Sequence, residues 1–179
     1  DATSRNNRTL DAGVVMGVFK GQGMLPMEQR LVAKDVSRYK IVEKDYFAYN
    51  PMRLNIGSIA RWAGDEPVLV SPDYVVFRCL DDSEQKLAPN YLDKFRCSDQ
   101  WDRFVSLAGD GSVRVRIYFR DLSTIPMVLP PVAEQQKIAD CLSSLDELIS
   151  AEGQRLEALK AHKKGLMQQL FPQPGQTQP

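Results

Sequence analysis

The sequence predicts an α+β fold in which a mixed α/β domain is followed by a single long α-helix. Runs of β-branched and aromatic residues, bounded by Gly, Pro, Asn or Asp, recur before residue 120 and are typical of strands. After residue 130 the apolar residues recur at alternating steps of four and three, which is the period of a paired helix. We therefore predict a domain over residues 1–130, a helix over 131–171 and a disordered tail over 172–179.

The predicted elements of the first domain follow the chain in order. The segment from Ala88 to Ala108 has apolar residues at largely helical spacing and is predicted as helix, as one piece or as two short ones. The alternation at 113–119 places Arg114 and Arg116 on one face of a strand. The predicted strands are Gly13 to Gly23, Tyr39 to Tyr49, Pro67 to Leu80 and Val113 to Phe119.

Prolines mark both ends of the predicted helix. Pro130 and Pro131 are tolerated at a helix start, and Pro172 ends the run. Only Glu152 and Lys163 interrupt the apolar seam between them. A long helix cannot bury its own narrow apolar seam, because those side chains remain exposed to water. We therefore expect the seam to pack against a second helix in an antiparallel coiled coil. The apolar seam residues are Ile138, Leu142, Leu145, Ile149, Leu156, Leu159, Leu166 and Leu170.

Composition narrows the function classes. The 179 residues are 43% hydrophobic and contain no apolar run as long as a membrane span, so we expect a soluble cytoplasmic protein. The three cysteines have no spacing typical of a disulfide framework or a zinc site. The single His162 lies in the predicted helix without a catalytic partner nearby in sequence. We therefore predict no catalytic residue, no metal and no cofactor.

The net charge is zero, which is unusual for a free-standing DNA-binding protein. Its distribution is uneven, however, because residues 1–62 carry a net charge of +4 and residues 111–130 a net charge of +2. These positive segments are candidates for contact with DNA phosphates, although ordinary solvated faces explain them equally well.

The segment from Asn50 to Arg61 is the strongest candidate for DNA contact. It places Arg53, Asn55, Ser58 and Arg61 around a proline and a glycine, which provides donors suited to base edges and small groups that permit close approach. The alternative is a structural loop whose polar side chains cap its own backbone.

Two further segments are weaker candidates. Ser112 lies in a Gly-rich turn that precedes Arg114 and Arg116, and its backbone N–H groups suit a phosphate. An ordinary hairpin loop is the equally plausible alternative. Lys20 lies among three glycines and forms the third candidate.

Several sequence blocks resemble one known family. The blocks LPPVAEQQKIADCL and LKAHKKGLMQQLFP are similar to the conserved helical region of the DNA-specificity subunit of type I restriction-modification systems. Upstream, DYFAYNPMRLNIGSIARW, VSPDYVVFR and GDGSVRVRIYFRDLSTIPMVLPP resemble successive landmarks of its target recognition domain. The blocks occur in the order of the family and cover most of residues 45–172.

The resemblance implies a non-catalytic subunit that reads one half of a bipartite site in double-stranded DNA. It also implies modification subunits and, through the complex, restriction subunits as partners. A whole specificity subunit of this family has two recognition domains and two antiparallel helices, whereas this chain has one of each. It is then either the C-terminal half of a longer subunit or a half-subunit that forms a homodimer through the helix. Its opening lacks the early Trp and Leu-Gly pair of a recognition half, so we expect the first elements of the domain to be missing.

A protein of a different class is the alternative. The helical seam is equally compatible with a coiled-coil assembly protein whose globular head binds another protein instead of DNA.

Overall fold

The computed structural model describes residues 3–80, 86–108 and 116–171. The chain divides into two units, Asp1–Gln136 and Lys137–Pro179. Within the described residues the first unit has three short α-helices, α1 (Pro89–Phe95), α2 (Asp99–Leu107) and α3 (Phe119–Leu122), and the long helix α4 (Val132–Leu170) begins there. Its strands are β1 (Met16–Phe19), β2 (Gly23–Pro26), β3 (Lys40–Val42), β4 (Phe47–Tyr49), β5 (Ile59–Arg61), β6 (Val68–Val70) and β7 (Val75–Phe77).

The antiparallel sheet β5-β4-β7 lies at the centre of the first unit. Its residues alternate between two cores because successive side chains of a strand point to opposite faces. On one face Phe47 stacks on Phe77 with ring centroids 5.0 Å apart, and Tyr49 joins the same cluster. Leu92 of α1 and Trp101 of α2 pack into that cluster. This core therefore joins the sheet to the helices that follow it.

The other face of the sheet carries smaller side chains. Ala48, Ala60 and Val76 are buried there in a cluster shared with the β1–β2 hairpin and the β3–β6 pair. Both of these strand pairs are antiparallel. Small residues at the centre allow the two layers to approach closely, which fixes the hairpin beside the sheet.

The observed strands are shorter than the predicted runs. The run 13–23 contains β1 and the turn after it, while 39–49 and 67–80 each contain two strands that belong to different sheets. Asp45 explains one division, because its backbone has a φ of 65° and turns the chain between β3 and β4. The predicted helical region 88–108 is confirmed as the two helices α1 and α2.

The prediction of a strand through Phe119 is wrong where the structure describes it. Residues 116–118 are not in a strand, and Phe119 begins α3. The alternation has another cause: Ile117 is fully buried in the core beside Tyr49, while its neighbours Arg116 and Tyr118 are exposed. Residues 113–115 lie outside the described residues, as does the predicted tail 172–179.

A buried glutamine fixes the first turn of α4 within the first unit. The side-chain amide of Gln135 donates to the carbonyls of Lys86 at 2.8 Å and Pro130 at 2.9 Å. Its oxygen accepts from the backbone N–H of Ala88 at 2.8 Å. All three bonds go to backbone, so the buried amide is satisfied and holds the helix start to the segment before α1.

The second unit consists, where described, of the remainder of α4. The helix is 39 residues long in all and continuous from Val132 to Leu170, within two residues of the predicted ends. At 1.5 Å per residue it is roughly 58 Å long. No helix in the described ranges is long and apolar enough to span a membrane. The predicted combination of a mixed α/β domain and a long C-terminal helix is thus confirmed.

Candidate nucleic-acid interface

The loop of residues 50–58 connects β4 to β5 and is held closed by its own backbone. The N–H of Asn50 donates to the carbonyl of Ser58 at 3.1 Å, and the N–H of Ser58 donates to that of Arg53 at 3.0 Å. Leu54 is buried and anchors the loop in the core. Arg53 and Asn55, one on each side of Leu54, are exposed. The loop therefore presents a guanidinium and an amide on a well-supported backbone.

The tip of the β1–β2 hairpin lies beside this loop. Gly57 has a φ of 88°, and a Cβ built on it would lie 3.3 Å from Cγ of Lys20. The hydroxyl of Ser58 donates to the carbonyl of Val18 at 3.4 Å. The aliphatic part of Lys20 thus covers a left-handed glycine of the loop, and its ammonium group extends the same surface.

The segment 116–118 approaches the loop from a third part of the chain. The N–H of Ile117 donates to the carbonyl of Pro51 at 3.0 Å, and the hydroxyl of Tyr49 donates to the carbonyl of Ile117 at 3.2 Å. Burial raises the pKa of Tyr49, so the phenol remains a donor at physiological pH. The exposed Arg116 lies with Nη2 3.9 Å from Sδ of Met52. Ile117 therefore acts as the anchor that sets Arg116 next to the loop.

Three segments distant in sequence thus contribute to one surface, which we call the loop face. It comprises Lys20, Met52, Arg53, Asn55, Ile56 and Arg116. Within the described part of the chain, neither Lys20 nor Arg53 forms an ion pair, so both cations face solvent without a partner. Three positive charges beside an amide provide donors both for phosphates and for base edges.

The other predicted contact residues have different surroundings. Ser58 is only 6% exposed, and its hydroxyl bonds the hairpin. Nη1 of Arg61 lies 2.6 Å from Oδ1 of Asp45, and its Nε lies 3.4 Å from Oδ2 of Asp93. Ser58 therefore joins the loop to the hairpin, whereas Arg61 lies opposite Phe47, at the end of β5 away from the loop. Ser112 and Arg114 lie outside the described residues.

Sequence reasoning did not identify two apolar members of the loop face. Met52 is 45% exposed and Ile56 is 54% exposed, and both flank the polar side chains. Exposed methyl and thioether groups beside bidentate donors suit contact with a thymine methyl. The Asn-Pro pair before Met52 is the sequence signal for a turn that exposes Met52. Oδ1 of Asn50 accepts from the N–H of Met52 at 3.0 Å, and this turn directs Met52 outward.

A second basic feature also went unrecognised in the sequence. A cleft of about 460 Å³ is lined by Lys44, Arg61, Arg78 and Lys86, together with Asp45. Its cations come from separate strands and loops, so no sequence window contains them. Within the described ranges, no group of His, Cys, Asp and Glu is arranged to hold a metal ion.

The apolar seam residues of α4 are exposed from Leu142 to Leu170, while Ile138 is half-buried. Most of the predicted seam residues are 40% exposed or more, including Leu145 at 50%, Leu156 at 52% and Leu159 at 58%. A row of half-exposed leucines on one helix is an apolar surface that a partner would cover.

The mixed α/β domain has an exposed cationic loop face, and the helix that follows it has an uncovered apolar seam. This combination is typical of a recognition domain joined to an assembly helix. Residues 52–161, more than half of the chain, match the type I restriction modification DNA specificity domain, so the chain belongs to this family. This confirms the resemblance found in the sequence blocks.

Individual relatives agree with the family. Over 140 residues the chain is 29% identical to the putative type I restriction enzyme MjaX specificity subunit of Methanocaldococcus jannaschii, covering 77% of the chain and 32% of that protein. Over 47 residues it is 45% identical to the MjaVIII specificity subunit of the same organism, covering 26% of the chain and 11% of that protein. The chain thus spans about a third or less of these relatives.

Solved structures share the fold. The HsdS subunit from Thermoanaerobacter tengcongensis aligns with a TM-score of 0.59 at 20% identity, over 97% of this chain and 44% of that one. A chain from a structural study of complex assembly and conformational transition in the type I R-M system aligns with the same TM-score at 18% identity, again over 97% and 44%. The similar fold therefore covers both the mixed α/β domain, which we call the head, and the helix.

Proposed function

We propose that this chain is a non-catalytic DNA-reading part of a type I specificity subunit, and that its loop face reads one half of a bipartite site in double-stranded DNA. One observation carries the proposal: Lys20, Arg53, Asn55 and Arg116 come from three separate segments and meet on a single exposed surface. A protein of this family needs such a surface, and each of these side chains has the donors to contact bases or phosphates.

The side chains of the loop face suit two different kinds of DNA contact, with base edges and with phosphates. Arg53 and Asn55 are presented by a loop whose backbone is closed by hydrogen bonds, and their side-chain donors suit base edges. Lys20 and Arg116 lie at the sides, where a flexible ammonium or guanidinium suits the phosphates. With zero net charge overall, we expect the intrinsic DNA affinity to be weak and to increase when partner subunits add contacts.

The proposed partners follow from the family. Modification subunits supply the methyl transfer, restriction subunits join through the complex, and the exposed seam of α4 takes a second helix from another specificity half or from a second copy. We place the assembled complex in the cytoplasm, where the DNA is.

A fluorescence anisotropy assay tests this function. The chain is titrated into cognate and random duplexes at several salt concentrations, with and without modification subunits. We expect affinity to fall as salt rises, and specificity to emerge with the partner subunits. Arg53→Ala should weaken cognate binding, while Arg30→Ala, which removes an exposed arginine outside the loop face, serves as the matched control. If DNA affinity is absent in every condition, the chain is a coiled-coil assembly protein with a protein-binding head.

A further inference from the structure

The seam of α4 contains two charged residues of opposite sign. Glu152 and Lys163 occupy seam positions, are exposed and interrupt an otherwise apolar row. The helix is continuous from Val132 to Leu170, so both remain in phase with the leucines around them. Glu152 lies 3.6 Å from Arg155 of its own helix, an exposed pair that stabilises little and leaves the carboxylate available. Charged residues within a seam specify which helices pair and in which register.

We propose that α4 pairs antiparallel with α4 of a second copy of this chain, in the register that places Glu152 opposite Lys163 of that copy. The twofold symmetry of such a pair produces this contact twice. The same register sets Leu156 against Leu159, Ile149 against Leu166 and Leu145 against Leu170 of the second copy. All the remaining layers of the overlap are therefore apolar. The side chains that form them are exposed in the single chain and would be covered by the second helix.

Other registers leave charges without partners. A parallel pair in register would place Glu152 against Glu152 and Lys163 against Lys163, so like charges would meet in the seam. An antiparallel pair shifted by one heptad would place Glu152 opposite Leu156 or Leu170, and Lys163 opposite a leucine as well. Enclosing an unpaired charge among leucines is costly. Charge complementarity therefore selects one alignment out of several that the leucines alone would permit.

The proposed overlap runs from Leu145 to Leu170 of each helix. It is roughly 38 Å long, and the first turns of α4 lie outside it. The proposal rests only on the pairing part of the proposed function and not on DNA reading.

Charge exchange tests the register. Sedimentation equilibrium of the whole chain should show Glu152→Lys and Lys163→Glu each raising the dimer dissociation constant by about tenfold or more. The double variant should restore the wild-type constant, because it exchanges the two charges, and an equimolar mixture of the two single variants should form a mixed dimer. Glu147→Lys, which makes the same charge change on an exposed position outside the seam, is the matched control.

Cross-linking gives an independent readout that does not depend on affinity. In a background where Cys79, Cys97 and Cys141 are replaced by Ser, a Leu145→Cys chain mixed with a Leu170→Cys chain should form a disulfide between unlike chains. Neither variant alone should do so, because residue 145 of one copy lies about 38 Å from residue 145 of the other.

Three results would overturn the proposal. They are cross-linking of Leu145→Cys chains to one another, a double charge exchange that fails to restore the dimer, and a wild-type chain that remains monomeric at micromolar concentration. Each is separate from the DNA assay, since binding of the cognate duplex with modification subunits is measured on its own. A monomer that still binds cognate DNA would refute this pairing and leave the DNA-reading function intact.

Discussion

The guanidinium of Arg61 bridges two carboxylates, with Nη1 2.6 Å from Asp45 and Nε 3.4 Å from Asp93. Asp45 precedes β4, Arg61 ends β5, and Asp93 lies in α1. Arg96 approaches the same Asp93 at 2.7 Å. The end of β5 away from the 50–58 loop is therefore tied both to the start of the neighbouring strand and to the helical layer, and Arg61 does not lie on the loop face.

Arg61→Ala should lower stability without removing any side chain of the proposed DNA-contacting loop face. We expect the free energy of unfolding to fall by about 1 to 2 kcal/mol, since Arg61 is only 22% exposed but Asp93 retains Arg96 as a partner. Urea unfolding followed by circular dichroism measures the loss. Arg53→Ala is the control, because an exposed arginine without an ion pair should leave the urea midpoint within error.

The sequence alone predicted the parts of this protein that depend on local patterns. Prolines flank α4, and a sustained seam runs between them, so its ends were predicted to within two residues. The helical region that contains α1 and α2 is predicted because its apolar residues recur at largely helical spacing, although its division into two helices is left open. Strand pairing was not predicted, because a turn such as that at Asp45 divides a continuous apolar run without any change of composition.

The candidate site was predictable only in part for the same physical reason. Arg53 and Asn55 lie within one loop, so a single sequence window contains them. The contact between Ile117 and Pro51 joins segments more than sixty residues apart, and no pattern within either segment predicts it. The surroundings of Arg61 and Ser58 depend on Asp93 and Val18, which lie 32 and 40 residues away along the chain.

Gly57→Ala should disturb the loop face specifically. A side chain at a φ of 88° is strained, and its Cβ would lie 3.3 Å from Cγ of Lys20. We expect a loss of about 1 to 2 kcal/mol in stability and weaker DNA binding. Gly13→Ala is the matched control, because a Cβ there would meet nothing within 4 Å. Equal effects of the two substitutions would contradict the close approach of the hairpin tip to the loop.

Arg53 and Arg116 should differ in the kind of affinity they provide. Arg53→Ala should weaken cognate binding by about 1 to 3 kcal/mol and reduce the ratio of specific to non-specific affinity, as expected for a residue that reads a base edge. Arg116→Ala should weaken both kinds of binding together and reduce the salt slope by about 1, as expected for a phosphate contact. Salt titrations on cognate and random duplexes measure both quantities. Unchanged binding and methylation in both variants would show that the loop face is not the DNA surface.

Leu145→Asp should prevent helix pairing. Leu145 is half exposed in the single chain and would be enclosed in the seam of a pair, where an aspartate has no cationic partner. We expect a loss of several kcal/mol in association, measured by sedimentation, with the fold of the head unchanged. Gln154→Asp, on an exposed position outside the seam, should sediment like the wild type. A Leu145→Asp protein that dimerises as strongly as the wild type would rule out the seam as the contact.

Deleting one heptad, Leu156 to His162, should shorten the spacer of the DNA site without changing either half-site. The deletion keeps the seam in phase, and Glu152 still meets Lys163 of the second helix when the pair is antiparallel. Seven residues correspond to about 10 Å of helix, which is about three base pairs of B-DNA at roughly 3.4 Å each. The distance between the two helix starts should decrease by that amount, so the two heads would reach half-sites closer together. Methylome sequencing of cells that carry the deletion reads the spacer directly, and an active complex with an unchanged spacer would show that the helix pair does not set it.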